Sequence, residues 1–587
     1  MKKKPTSYMS LLLMLVLHQL PLRIAYAEGS EHAMPNNAIS QLIAGKQHPY
    51  LILANFQNRA EDVENLYKDS DYKPLWVGHK LSEKPLKDVV NLLTEASNYG
   101  LNPVNYDIDV LQQKISELSK SDAPTANDLA LLDTAISIAL LRFSHDLHYG
   151  RINPQGINFN LKLREKKLLD LPSLIKQSLQ HNAIALLPTL VEPTLKPYQQ
   201  LKLALAAYRH LSKTVKPVNL TVEKALHPGE KLANVAALRD FLVAIGDMAE
   251  EKKSVDKTGI YSGKVVDGVK QFQHRHGLVA DGVIGKETAL SLNTPLSQRI
   301  SQIELAMERL RWLPRFGDKE SIIVNIPAFK LWAFNDFNQI SPDIVSMNVV
   351  VGKALENQTP VLMAEMRYLD FMPYWNVPYS IIKNEILPKL LVNNAYLDKE
   401  NMELVPSFGN EVKAVAFNAT SLEQLKQGRL KVRQRPGGKN ALGKIKFIFP
   451  NHNNVYLHDT PSINLFVKSR RDFSHGCVRV EKPDLLAEFV LKDQDGWNKD
   501  SIKQALDGGK TQRVLLKKPI GVLFFYTTAF FDQENHLTFY QDIYGHDPIL
   551  QTALSKPQDL ADDAIFVTSI QPAEATGTGL DIPTVSP

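Results

Sequence analysis

Residues 455–480 read VYLHDTPSINLFVKSRRDFSHGCVRV, and the rest of the chain is best understood outward from this stretch. It holds Cys477, the single cysteine among 587 residues, with His475 two positions and His458 nineteen positions before it. The thiolate is the nucleophilic form of cysteine. A free thiol with a pKa of about 8.5 is only slightly ionised at neutral pH, so sulfur catalysis needs an imidazole to take the proton. Both histidines qualify on position. Val455 to His458 reads as a short strand whose alternation sets His458 on the same face as Tyr456. Small flanks at Ser474 and Gly476 leave room for backbone N–H groups to approach a substrate oxygen, as acyl transfer requires. Taken alone, these residues describe a candidate cysteine acyltransferase or peptidase. Either the Asp459 carboxylate or a backbone carbonyl orients His458. His452 and His458 have neither a third ligand nor a water-activating glutamate near them, so no metal or other cofactor is expected.

Around this stretch the pattern is β-rich. Ile322 to Ile326, Phe329 to Phe334 and Met347 to Val351 are β-branched or aromatic runs separated by Pro, Gly and Asp turns. Ile445, Phe447 and Phe449 alternate with Lys444 and Lys446, which reads as a half-buried strand. Residues 376–430 interrupt the strands with helical sequence, including Ile381 to Leu391, and an insertion of that size suits a lid. Tyr374 and Trp375 at its start either line the cleft or belong to the core, as does Tyr456. Ile520 to Phe531 and His536 to Tyr540 read as a hairpin around Asp532 to Asn535. Past Lys556 there is no further basic residue, aromatics nearly vanish and Pro recurs, so residues 551–587 are expected to be disordered.

Upstream the pattern turns helical. Leu201, Leu205, Tyr208 and Leu211 recur at helical spacing within an expected helical scaffold over residues 28–225. His145 and His148, with no further ligand nearby, read as a solvated helix end. Ile300, Ile303, Met307 and Leu310 predict an amphipathic connecting helix within 296–320, ending at Pro314. Residues 1–27 carry a basic start, the apolar run Met9 to Leu17 and the small-x-small site Ala25-Tyr26-Ala27, the marks of a cleaved export segment. Those 27 residues hold four basic residues and no acid, leaving 64 basic against 63 acidic residues elsewhere. A balance of +1 supplies no global field for nucleic acid. With 44% hydrophobic residues, 29 Gly and 34 Pro the composition is that of a multidomain globular protein. An exported chain with one cysteine forms no internal disulfide.

Two resemblances sharpen this reading. DGVKQFQHRHGLVADGVIGKETALSLN, within the helical module expected at 226–295, is similar to the peptidoglycan-binding domain 1 family. His458, fifteen intervening residues and then Ser474-His475-Gly476-Cys477 resembles the signature of the L,D-transpeptidase (YkuD) catalytic domain. RPGGKNALGKIKFIFPNHNNVYLHDTP and MPYWNVPYSI are similar to the large Gram-negative branch of that family, the YcbB type. The resemblance implies an α+β multidomain architecture. A helical scaffold and a small helical peptidoglycan-binding module precede a mostly-β catalytic domain at 321–500, with a helical lid insertion and C-terminal strands at 501–550. It implies Cys477 as nucleophile, His458 as general base, and the backbone around Gly476 and Cys477 as oxyanion hole, with Ser474 and His475 supporting that loop. Arg479 would bind a substrate carboxylate or brace the loop, and Tyr456 and Trp375 would flank the substrate. The activity implied is peptidoglycan L,D-transpeptidation in the periplasm, forming 3→3 cross-links from a tetrapeptide donor and a diamino-acid acceptor, with carboxypeptidase action when water intervenes. Carbapenems as inhibitors and other cell-wall synthesis proteins as partners follow from the same likeness. A catalytically lapsed wall-binding protein, or an enzyme of lipoprotein–peptidoglycan links, remains as the alternative.

Overall fold

The computed structural model describes residues 37–78, 81, 83–157, 169–250, 259–313, 319–336, 345–409 and 412–556. The expected export segment lies outside them.

The N-terminal helices gather around Ala126–Tyr149, whose residues are buried nearly all round. A Thr125–Asp128 capping box starts this helix, satisfying N–H groups its first turn leaves open. Inside this core Asp133 accepts from the Tyr67 hydroxyl at 2.5 Å and from the backbone of Leu75, Trp76 and Val77. His145 and His148 are not a solvated helix end. His145 is 6% exposed and lies against Tyr149, while the His148 ring donates to the Val191 carbonyl at 2.6 Å. The Leu187–Val191 helix packs on this end and closes it to water.

The next long helix, Lys196–Thr214, turns away from that core. Leu201, Leu205 and Tyr208 join the apolar cluster that also holds the Leu296–Arg311 helix and the strands beyond it. The scaffold expected to run to residue 225 therefore shares its last helix with the catalytic half. Glu308 pins the junction. It is 1% exposed and accepts from the amides of Arg151 at 2.6 Å and Ile152 at 2.9 Å, from Trp312 Nε1 at 3.2 Å and from Arg311 at 3.1 Å. Removing Glu308 takes the acceptor from two buried amides and the carboxylate from the buried Arg311 guanidinium, which keeps only the neutral oxygens of Tyr99 and Tyr198. Glu308→Ala is expected to destabilise the protein by about 3–5 kcal/mol, seen as a lowered urea midpoint.

Helices Val235–Ala244, Lys264–Arg275 and Lys286–Leu292 form the small module, with Leu238, Val269, Phe272, Ile284 and Leu292 at its centre. It is fastened to the catalytic half. Arg275 pairs with Asp247 inside the module and donates across to the Leu537 carbonyl at 2.8 Å, and His276 stacks on Phe272 and on Phe539.

The catalytic half begins with β1 (Ser321–Asn325), β2 (Lys330–Phe334), β3 (Val345–Gly352) and β4 (Leu362–Phe371). The chain then leaves through β5 (Trp375–Asn376), β6 (Met402–Val405) and β7 (Lys431–Gln434). It returns as β8 (Ile445–Ile448), β9 (Leu457–His458), β10 (Asp472–Ser474), β11 (Val478–Val480) and β12 (Gln512–Phe525). The hairpin β13 (Ala529–Phe531) and β14 (Leu537–Phe539) follows. Among the described residues one sheet runs β10-β3-β11-β9-β8-β4-β12-β1-β2, and an added β3–β2 pairing closes it into a mixed barrel with β10 attached alongside β3. Ile445, Phe447, Leu457, Val478 and Val480 fill its interior.

Two expectations need correction. The strands after residue 500 are not a C-terminal appendage: β12 lies between β4 and β1, antiparallel to one and parallel to the other, so the barrel closes only through it. The second concerns the irregular tail expected from 551, which is helical through His546–Ser555, packed by Leu550; residues beyond 556 lie outside the described set.

The insertion is helical as expected but also carries the β5-β7-β6 sheet. It has its own apolar centre of Val377, Ile386, Leu390, Leu404, Leu425 and Val432. β5 and β7 pair at its root, so the two legs leave and rejoin the barrel side by side.

Candidate active site

The site is built on one row of the barrel. Parallel pairing aligns Val478 with Leu457 and Arg479 with His458, and antiparallel pairing aligns His458 with Lys446. Side chains alternate, so Leu457 and Val478 enter the core while Tyr456, His458, Cys477 and Arg479 share the opposite face. Cys477 and His458 are thereby diagonal neighbours on adjoining strands, on the same face. The nineteen-residue separation in sequence closes because residues 459–473 loop out and return through β10.

Each group is held by identifiable contacts. His458 Nδ1 lies 2.5 Å from the Asp459 carbonyl oxygen and must donate to it, which leaves Nε2 as the basic nitrogen. The backbone carbonyl is thus the orienting group. Asp459's carboxylate instead accepts from Lys444 N at 2.7 Å and Thr460 N at 2.6 Å, fixing the turn that carries that carbonyl. Gly443 makes this approach possible: with φ +62°, it lies where a Cβ would fall 2.3 Å from the Asp459 carboxylate. Burial, aided by the Arg479 charge, pushes His458 down to about 3. The Cys477 thiol is pushed up by burial, against hydrogen bonds from Tyr456 and the fields of Lys446 and Arg479. The resting pair is a neutral imidazole beside a neutral thiol.

The loop before Cys477 is braced from a distance. Ser474 Oγ donates to the Cys477 carbonyl at 2.6 Å and accepts from Gly476 N at 3.2 Å. Thr359 Oγ1 donates to the Gly476 carbonyl at 2.8 Å and accepts from Gly352 N at 2.8 Å. Lys353 N bonds the Ser474 carbonyl at 3.0 Å. Gly476 has φ +106°, a region closed to most side chains. The Gly476 N–H is thus already bonded, to Ser474 Oγ.

His475 turns outward. Its Nε2 lies 2.7 Å from Glu385 Oε1, on the π-helical turn Ile382–Ile386 of the insertion, and both side chains are about 40% exposed. It links catalytic loop to lid rather than imidazole to sulfur. Trp375, expected beside the substrate, sits in β5 and packs against the insertion's own core, and Tyr374 lies under the Arg433 guanidinium. Tyr456 is at the centre: its hydroxyl hydrogen-bonds the Cys477 sulfur, and its ring lies 5.7 Å from that of His458. Arg479 is half-buried on the same face, its Nε without a hydrogen-bond partner.

Sequence reasoning missed Thr359 and Lys446. Thr359 carries no local mark and reaches Gly476 across 117 positions. Lys446 was visible as the polar half of an alternating strand, but only the β8–β9 register brings it to His458.

Comparison with known proteins agrees with this architecture. Residues 319–502 match the L,D-transpeptidase catalytic domain family (YkuD), residues 231–292 a family described as "Putative peptidoglycan binding domain", and residues 61–205 a scaffold domain family. The chain is 34% identical over 246 residues to a "Putative L,D-transpeptidase" of Haemophilus influenzae, an alignment covering 42% of this chain. It spans about half that relative's length, 48%. The crystal structure of the L,D-transpeptidase from Xylanimonas cellulosilytica is 15% identical, with 52% of this chain and 100% of that one covered and a TM-score of 0.16. The chain therefore carries an L,D-transpeptidase catalytic domain joined to scaffold and peptidoglycan-binding domains, and is related to the Haemophilus protein.

Proposed function

We propose that this protein is a periplasmic peptidoglycan L,D-transpeptidase that forms 3→3 cross-links through an acyl-enzyme on Cys477. The observation that carries the reading is the His458 tautomer. With Nδ1–H tied to the Asp459 carbonyl, Nε2 is a fixed base on the strand beside the chain's single thiol. The donor is a tetrapeptide stem. As Cys477 Sγ adds to the carbonyl of its third residue, the thiol proton passes to His458 Nε2. The Cys477 N–H meets the developing oxyanion. Collapse breaks the amide C–N bond, His458 returns the proton to the departing D-Ala amine, and a thioester remains. The side-chain amine of a neighbouring diamino acid then attacks that thioester and releases the sulfur; water in its place gives a carboxypeptidase product. Carbapenems acylate the same sulfur.

The insertion suits water exclusion, and the module suits retention on a polymeric wall, where tethering raises the local substrate concentration. Export through residues 1–27 would bring the enzyme to that substrate. Incubation with disaccharide tetrapeptides tests the reading: cross-linked dimers and released D-Ala are expected, whereas neither product from folded protein would favour a lapsed wall-binding protein. A lipoprotein-linking activity would appear as a different product mass.

His475 supplies an internal control. Its ring is committed to Glu385, and an exposed ion pair is worth only about 0–1 kcal/mol. His475→Ala is therefore expected to change acylation by no more than about fivefold, measured by intact-protein mass spectrometry against time.

A further inference from the structure

The row that holds His458 continues on both sides. Successive registers align Arg513 with Asp370, Asp370 with Lys446, Lys446 with His458, and His458 with Arg479, across five neighbouring strands. Charge along this row does not balance. Asp370 is the one carboxylate in it, and Arg513 already clamps both its oxygens, at 2.8 and 3.0 Å. Lys446 is left with the face of Tyr456, 3.9 Å from Nζ to the ring centroid. Among the described residues neither Lys446 nor Arg479 forms an ion pair, although both are half-buried. Asp370 lends Lys446 part of its field but is held by Arg513, and a site that keeps more partly desolvated cations than carboxylates is prepared for an anion.

We propose that Lys446 is a specificity-determining residue that, with Arg479 on the other side of His458, reads the free carboxylates of the acyl donor. The proposal rests on the transpeptidase reading above and names its substrate class: stems carrying a carboxylate on both sides of the scissile amide, one on the leaving residue and one on the side chain of the third residue. Two strand spacings separate the Lys446 and Arg479 backbones, about 10 Å, so one anionic group on each side of His458 can be engaged together. The arrangement also couples recognition to chemistry. Burial first, and then the charges of Arg479 and Lys446, hold the proton affinity of His458 down. An anion between them cancels that field, so the base gains strength when the right donor is bound. Lys446 touches the substrate in this scheme, and its effect on His458 is exerted through the bound carboxylate.

The test uses full-length protein and three synthetic tetrapeptide donors: one with both carboxylates free, and two each bearing a primary amide at one of them. The readout is released D-amino acid or its amide, with the acyl-enzyme measured by mass. Wild type is expected to prefer the free donor over each amide by about tenfold or more in kcat/KM. Lys446→Met should lose its sensitivity to one of the two amides while keeping the other, and Lys446→Arg should retain both. Equal turnover of all donors by wild type overturns the proposal while leaving the transpeptidase reading intact. Equal loss by Lys446→Met on every donor assigns Lys446 a purely structural role and also overturns it. No turnover of any donor by wild type sinks the transpeptidase reading and this inference together. Should Lys446→Met not fold, Lys446→Gln takes its place, and unchanged sensitivity to both amides in the folded variant overturns the proposal.

Discussion

Cys477→Ala is expected to abolish both turnover and the covalent carbapenem adduct, with the fold unchanged. The chain has one sulfur of this kind, so no second thiol can substitute. Cys477 is half-buried, and the loop that carries it is held by bonds to backbone carbonyls, the thiol itself meeting only the Tyr456 hydroxyl and backbone. Loss of a covalent nucleophile typically costs at least about 10³-fold in rate, and residual activity should approach background. Intact-protein mass after carbapenem exposure gives the clearest reading: wild type gains one adduct and Cys477→Ala gains none. The same adduct on both would place the nucleophile elsewhere and remove the basis for the proposed reaction.

The second large effect is at His458, where pH separates two mechanisms. Because His458 is held down to about 3, it is already unprotonated throughout the neutral and mildly acidic range. A histidine with its ordinary pKa of about 6.5 would give kcat/KM an acidic limb beginning near neutrality. Here kcat/KM is expected to stay flat from pH 8 to about 5, with its acidic limb displaced toward the His458 value. His458→Gln should lower it by about 10²–10⁴-fold at pH 7. Its residual rate should rise about tenfold per pH unit, because attack then depends on the small thiolate fraction of a thiol that burial has pushed up. A variant with a flat profile near the wild-type rate would remove His458 from the mechanism.

How far the sequence reached depends on how local each feature is. That Cys477 and His458 share one face of adjoining strands was legible because their strands are short, alternating and close in the chain. The helical module was legible for the same reason, since its three helices and turns lie within one short segment. Register was harder. Lys446 belonged to a recognised strand, yet its meaning came from pairing with β9 rather than from its own neighbours. The bracing of the loop by Thr359, itself bonded to the Tyr544 hydroxyl at 3.2 Å, involves contacts 117 and 185 positions apart, which no periodicity encodes. The insertion read as helical because helix-forming stretches surround β6, whose four residues are too short to show an alternation. His145 looked solvated for want of the Leu187–Val191 helix, whose packing no local pattern announces. Trp375 illustrates the opposite limit: an aromatic at an element boundary is equally suited to a cleft wall or a small core.

Because β12 is inserted between β1 and β4, the barrel's architecture carries an order of events. During synthesis Cys477 emerges from the ribosome some thirty-five residues before the first residue of the strand that seals the cylinder, Gln512. Until that last stave arrives, the flanks of β1 and β4 are unpaired edges. Nascent chains are thus denied a closed barrel until residues 512–525 have been made, and a polypeptide cut short just after residue 502 would hold Cys477 and His458 within an unclosed wall.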